Sequence, residues 1–192
     1  MIFKKLNDIA KVKFCTVTPS RSKPHSAPTN WLVSANFLAD NEISFDLTTN
    51  NVMPDGDWLV RKEDIVIKRI TPSFVNYIYD IPENTYCGNN LIIVTPKTSV
   101  DSKYLAMILN EQIGDLSKES SVGAVMKSIS KADLEALEIP LPDMATQKCI
   151  GAIWYDGIEL KKKKIRIAKL ENIKTNYTIK KAIKILGGNQ NG

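Results

Sequence analysis

Two prolines two apart, in Ile139-Pro140-Leu141-Pro142, are followed by about forty residues, Asp143 to Leu186, without another proline. Each proline lacks an N–H and crowds the turn before it, so the pair cannot lie inside a helix and fixes where an extended segment stops. Asp143 then offers an N-cap carboxylate, with Gln147 just inside the first turns. The pattern predicts one helix over 143–186, which at 1.5 Å per residue reaches about 60 Å. A rod of that length calls for a partner.

Its apolar residues do not keep one heptad seam. One row runs through Ile150, Ile153, Gly157, Leu160 and Ile167, and another through Trp154, Ile158, Ile165, Ala168, Ile179, Ala182 and Leu186. Two adjacent rows make a stripe wider than a two-stranded coil needs, so one row is expected to pack on the chain's own domain and the other on a second helix.

The net charge of +5 is unevenly distributed. Residues 1–80 carry 10 basic and 9 acidic groups, 81–159 carry 6 and 11, and 160–192 carry 10 and 1. The helix therefore holds the excess, including the run Lys161 to Lys164. A second basic region opens the chain, where Lys4, Lys5, Lys11, Lys13, Arg21 and Lys23 face only Asp8 before residue 30. Such asymmetry points to a polyanion, because each neutralised phosphate releases counterions. A lysine-rich helix face can also be merely solvated.

The hydrophobic fraction of 43% supports an ordinary core in one domain with an appendage. No run of eighteen apolar residues exists and Met1 to Leu6 has no signal-peptide core, so a soluble, cytoplasmic protein is expected. Cys15, Cys87 and Cys149 are isolated and share the chain with one histidine, His25. Neither a disulfide framework nor a zinc site can be drawn, and buried free thiols are expected.

Residues 11–30, with prolines at 19, 24 and 28, read as an ordered loop of irregular backbone. Asp55-Gly56 reads as a turn. Trp58 to Val60, Ile65 to Ile70, Phe74 to Tyr79 and Leu91 to Val94 are β-branched and aromatic runs of strand length. Asn89 and Asn90 suit the turn before the last of these. Ser99 or Asp101 can cap a helix through Gln112 that presents Tyr104, Leu105, Ile108 and Leu109 on one face, and Lys131 to Leu137 is a further short helix. The expected fold is α+β: a small mixed β-sheet domain with short helices over 1–142, one long coiled-coil-type helix over 143–186, and a frayed tail over 187–192.

The order of several degenerate motifs carries a family resemblance. Val122-Gly123, Ile129-Ser130-Lys131, Asp133-Leu134, Leu137, Ile139 to Pro142, Gln147 and Ile150 resemble a target-recognition domain passing into a spacer helix. Upstream, Glu63-Asp64-Ile65-Val66-Ile67 is similar to a Gly-Asp-Ile strand, Gly88 to Ile93 to a second core strand, Tyr104-Leu105 with Leu109-Asn110 to a short amphipathic helix, and Lys5 to Ala10 to a domain opening. These are features of type I restriction-modification specificity subunits, and the resemblance covers most of residues 1–186. Glu63 stands where that family usually has glycine, so the turn before its strand is expected to differ.

The resemblance implies a sequence-specific DNA-binding subunit that does no bond chemistry. Partner subunits would carry methyltransferase activity with S-adenosylmethionine, and a translocating endonuclease with Mg²⁺. The family's full subunit pairs two recognition domains with two spacer helices, so 192 residues correspond to half of one. A homodimer through an antiparallel helix pair would restore the layout with two-fold symmetry, and its target would be a split palindrome. The helix residues assigned to that seam are Ile150, Ile153, Trp154, Ile158, Ile165, Ala168, Ile179 and Leu186.

Reading bases requires donor and acceptor pairs at base edges, supplied by Arg or Lys to guanine and Asn or Gln to adenine, while Lys, Ser and Thr serve phosphates. Candidates are Arg21, Ser22, Lys23, His25 and Asn30 in the N-terminal region, and Lys68, Arg69, Ser73 and Asn76 around a strand pair. Ser121, Gly123 and Lys127 form a third group, in a segment that lies on the DNA side in the family. Lys68 and Arg69 are consecutive on a strand and point to opposite faces, so at most one need meet DNA.

No glycine-rich cofactor turn, Asn/Asp-Pro-Pro-aromatic run or phosphate-binding Gly-x-x-x-x-Gly-Lys-Ser/Thr loop is present. Two other readings remain open at this level. Pro82-Glu83 with Asp101-Ser102-Lys103 resembles the metal-binding acidic-x-Lys arrangement of a nuclease, although a helix cap explains Asp101 and a turn explains Glu83. A coiled-coil scaffold with no nucleic-acid role needs only the helix and leaves the basic N-terminal region unexplained.

Overall fold

The computed structural model describes residues 2–37, 42–70, 73–118 and 129–188. In chain order these form β1 (Ile2–Lys5), α1 (Leu6–Ile9), β2 (Ala10–Phe14), β3 (Lys23–Leu32), β4 (Thr48–Met53), β5 (Ile65–Lys68), β6 (Val75–Tyr77), β7 (Thr85–Cys87), β8 (Leu91–Pro96), α2 (Ser102–Lys118), α3 (Lys131–Ala136), β9 (Glu138–Leu141) and α4 (Met144–Gly188). Short 3₁₀ turns occupy Pro19–Arg21 and Ser34–Asn36. The fold is mixed α+β, with small sheets, short helices and one long C-terminal helix.

The centre is a four-stranded antiparallel sheet in the order β2-β8-β5-β6. Leu91, Ile92, Ile93 and Val94 of β8 and Ile65, Val66 and Ile67 of β5 are all without exposure. Both faces are therefore covered, which is why these strands read as unbroken apolar runs rather than alternating ones. Successive side chains point to opposite faces. Val66, Leu91 and Ile93 cluster with Leu32 of β3, Cys87 of β7, Cys15, Phe37, Val60 and Ile78. Helix α2 packs on β6 and buries Tyr104, Leu105, Ile108 and Leu109, the face its spacing predicts.

A second sheet, β4-β3-β7, is the mixed one: β3 runs antiparallel to β4 and parallel to β7. Residues 11–30 thus correct the sequence expectation of a loop. Prolines 24 and 28 lie inside β3, where a register shift between Pro24 and Thr29 bulges the strand away from β4. A bulge relieves the ladder of donors that proline lacks. The expected strand at Trp58 to Val60 is only a bridge, Leu59 to Tyr86. β4, with Thr and Asn at four of six positions, gave no strand signal.

The remaining two-stranded sheet pairs β1 with β9, Phe3 opposite Pro140, so the start of the chain is stitched to the proline segment before α4. Asp143 caps that helix as expected: its carboxylate accepts from the Thr146 backbone N–H at 3.0 Å and the Thr146 hydroxyl at 2.6 Å, which holds its pKa below the usual carboxylate range. Gln147, 2% exposed, is the joint: its Oε1 accepts from Asp101 N at 3.0 Å and its Nε2 donates to Pro142 O at 2.9 Å. One turn on, a Cβ at Gly151 would lie 2.6 Å from Tyr104 N, so only glycine lets the helix approach the start of α2 this closely.

The chain divides into two compact units, 1–152 and 153–192, so the first turns of α4 belong to the body. Ile153, Leu160 and Ile167 of one row are 69, 53 and 55% exposed and Ile165 and Ile179 of the other 38 and 51%, so neither row shows the burial within the chain that was expected of one of them. The helix runs unbroken through Gly187 and Gly188, two residues past its predicted end, and 189–192 lie outside the described residues. Cys15 and Cys87 are buried as expected, but Cys149 is exposed on α4. Among the described residues no helix is long and apolar enough to cross a membrane, and no cluster of three potential metal ligands occurs.

Candidate nucleic-acid interface

The cations that crowd the first thirty residues meet their counter-charges far along the chain. Lys11 and Lys13 alternate on the edge strand β2 and share a face. Asp57 receives both, with Lys13 Nζ at 2.8 Å and Lys11 Nζ at 3.7 Å from Oδ2, and Arg61 Nη2 at 3.4 Å from Oδ1. Lys23 pairs with Asp55 at 2.8 Å. The hydrogen bond from Lys13 holds the Asp57 carboxyl below its ordinary range, and that from Lys23 does the same for Asp55. Gly56, at φ +148, makes the turn that carries both acids.

Arg61 opens a second turn, closed by Asp64. Asp64 is 1% exposed and satisfied on both oxygens, by Arg61 N at 2.7 Å and the Thr95 hydroxyl at 2.6 Å. Burial nevertheless pushes its pKa up, since desolvation outweighs these bonds. Glu63 within this turn has φ +70, the left-handed conformation that glycine adopts freely and a side-chain-bearing residue adopts at a local cost.

The predicted readers fall into different situations. Arg21 is exposed on the 3₁₀ turn, while the Ser22 hydroxyl donates to Thr18 O at 3.0 Å. His25 Nδ1 lies 2.9 Å from Ala27 O and 3.2 Å from Ala27 N, tied to the β3 bulge. Asn30 spends its amide locally, donating to Glu83 O at 3.0 Å and accepting from the Thr49 hydroxyl at 3.1 Å. Lys68 lies over the Phe74 ring and Arg69 over Phe14.

Arg69 Nε also donates to Ile129 O at 3.0 Å, and the Ile129 N–H returns to Arg69 O, so this arginine anchors the chain where it re-enters α3. The Ser73 hydroxyl reaches Arg69 O at 3.5 Å, and Asn76 is 6% exposed within β6. Lys68, Arg69 and Ser73 thus gather at one end of the β5–β6 hairpin, with Asn90 at φ +63 in the adjoining turn accepting from Arg69 N. Ser121, Gly123 and Lys127 lie outside the described residues.

Sequence reasoning counted Lys11 and Lys13 in the basic N-terminal region but did not name them, or Arg61, among the candidate DNA contacts. Alternating lysines next to a hydrophobic run would have marked an edge strand and put two of them on one face. In the second unit, every residue from 163 to 184 is exposed, including Ile165, Ile167, Leu170, Ile173, Tyr177, Ile179 and Ile183. Ile150, Trp154 and Ile158 are half-buried. Asp101 caps α2 by accepting from Tyr104 N at 2.9 Å, and Glu83 sits in a turn.

The family model described as the type I restriction modification DNA specificity domain matches residues 1–184. Solved structures share the fold, three of them as follows. A chain from a study of complex assembly and conformational transition of the type I R-M system aligns with TM-score 0.64 and 20% identity over 89% of this chain and 41% of that one. The HsdS subunit from Thermoanaerobacter tengcongensis gives 0.60 and 20% over 83% and 37%. The type I restriction-modification S subunit from M. genitalium gives 0.51 and 15% over 79% and 37%. This chain therefore spans about two fifths of the length of those it matches. No curated protein matches it.

Proposed function

The chain belongs to the type I restriction modification DNA specificity domain family, and we propose that it binds duplex DNA sequence-specifically as the recognition component of such a system. The observation that carries this reading is the family match across domain and helix together, residues 1–184. The chain supplies recognition and leaves bond chemistry to partner subunits: a methyltransferase carrying S-adenosylmethionine and a translocating endonuclease using Mg²⁺.

Two copies pair through α4 in an antiparallel arrangement. The exposed apolar residues of 153–184 support this, since apolar surface on such a scale marks an interaction site. Two recognition domains related by a two-fold axis read two inverted copies of one short sequence across a constant gap.

Selection from a random duplex library tests the reading. Enrichment of a short motif in inverted repeat at fixed spacing is expected, together with a dimer by sedimentation. A single unrepeated motif would remove the dimer, and no enrichment would remove sequence-specific recognition.

A further inference from the structure

We propose that Lys11 and Arg61, gathered around the Lys13–Asp57 ion pair, form a site for the phosphodiester backbone of duplex DNA, an inference that rests on the DNA-recognition reading above. Three cations from two elements about fifty positions apart in sequence converge on Asp57, and with buried Asp64 also close to Lys13 and Arg61 the group still keeps a net positive charge. The exposed ion pairs that Lys11 and Arg61 make with Asp57 add little to folding, so stability does not account for their convergence there.

The three do not play equal parts. Lys13, only 10% exposed, makes the short 2.8 Å contact and holds Asp57. Lys11 and Arg61, 66 and 52% exposed, lie at 3.7 and 3.4 Å and keep most of their hydrogen-bonding capacity for an external anion. Each is presented from a fixed backbone: Lys11 from the β2–β8 ladder, opposite Thr95, and Arg61 from the turn locked by buried Asp64. Rigid presentation lowers the entropic cost of binding a phosphate. A guanidinium fork beside an ammonium suits the oxygens of a phosphodiester.

The charge continues beyond this point, because Lys23 sits on Asp55, two residues before Asp57 on the same turn. Four cations against two carboxylates around one turn fit a polyanion with repeated phosphates better than a single small anion.

The test uses the full chain, a labelled duplex of arbitrary sequence, and anisotropy titrations over a series of NaCl concentrations. The variants are Lys11→Ala, Arg61→Ala, the double variant, Arg61→Lys, and Lys148→Ala as an exposed lysine on α4 outside the site. Each alanine variant is expected to flatten the slope of log affinity against log salt by about one, the double variant by about two, and equally for any sequence. Arg61→Lys keeps the charge and should keep the slope, Lys148→Ala should match the unmodified protein, and thermal melts should be unchanged. If the unmodified protein binds DNA but the double variant keeps its affinity and slope, the site is wrong while DNA recognition stands. If the unmodified protein binds no DNA at any salt, both fall together.

Discussion

Isoleucines in β5 and β8 and isoleucines in α4 are the same residue in opposite circumstances. Ile65, Ile67, Ile92 and Ile93 have no exposure at all, whereas Ile167, Ile173, Ile179 and Ile183 are each more than half exposed. The body satisfies its apolar surface within one chain, by covering its central sheet on both faces. The helix presents its apolar surface outward, and intrahelical hydrogen bonds alone do not make such a helix strongly stable in water. Hydrophobic residues thus build a fold in one unit and, on the pairing proposed above, an assembly surface in the other.

The comparison can be broken first at its strongest point. Ile93→Ala, between the two sheets, should lower the stability of the body by about 2–5 kcal/mol, seen as a fall in the denaturation midpoint, and leave self-association of the surviving folded protein unchanged. Loss of association without loss of stability would mean that the body and the helix do not divide these tasks. Ile165→Asp probes the other side. Burying a carboxylate in a helix pair should weaken association by about 2–3 kcal/mol, roughly thirtyfold or more by sedimentation, with the melting of the body unaffected.

Asp64→Asn sharpens the account of the body. An amide can accept from only one of Arg61 N and the Thr95 hydroxyl, so a cost of about 1–3 kcal/mol is expected. Because burial raises the folded-state pKa of Asp64, its contribution is full below the unfolded value and declines as pH rises through the raised one. The advantage of the unmodified protein over Asp64→Asn should therefore shrink as pH rises from below the ordinary carboxylate range to above it. An advantage that grows with pH would mean that the hydrogen bonds outweigh desolvation.

The smallest effect belongs to Glu63→Gly. Relieving a side chain at φ +70 should stabilise the body by about 0.5–1 kcal/mol in denaturant titrations.

Much of the architecture is legible where the signal is local. The proline pair and Asp143 place the start of α4 at the observed residue, and the spacing of Tyr104, Leu105, Ile108 and Leu109 gives the buried face of α2. The β2–β3 region is illegible for a physical reason. Its prolines, serines and lysines have loop character, and strand geometry is imposed by pairing with β8, β4 and β7, which local propensity does not encode. The candidate site is half legible in the same sense. The surplus of cations before residue 30 is visible in the sequence, but the acids that organise them, Asp55 and Asp57, lie beyond residue 50. Asn30 and Arg69 have the chemistry of base readers, and tertiary contacts engage them with Glu83, Thr49 and Ile129.

By itself, the sequence determined a helix that begins after Pro142, carries apolar rows and holds the positive excess, because capping, proline exclusion and helical periodicity all act within a few residues. Only the tertiary structure decided which side chains within 1–152 share a surface: Lys11 and Lys13 with Asp57 and Arg61, Gln147 with Asp101, and Leu32 with Ile93. Those groupings join residues tens of positions apart, and strand pairing and burial, rather than local preference, set their distances.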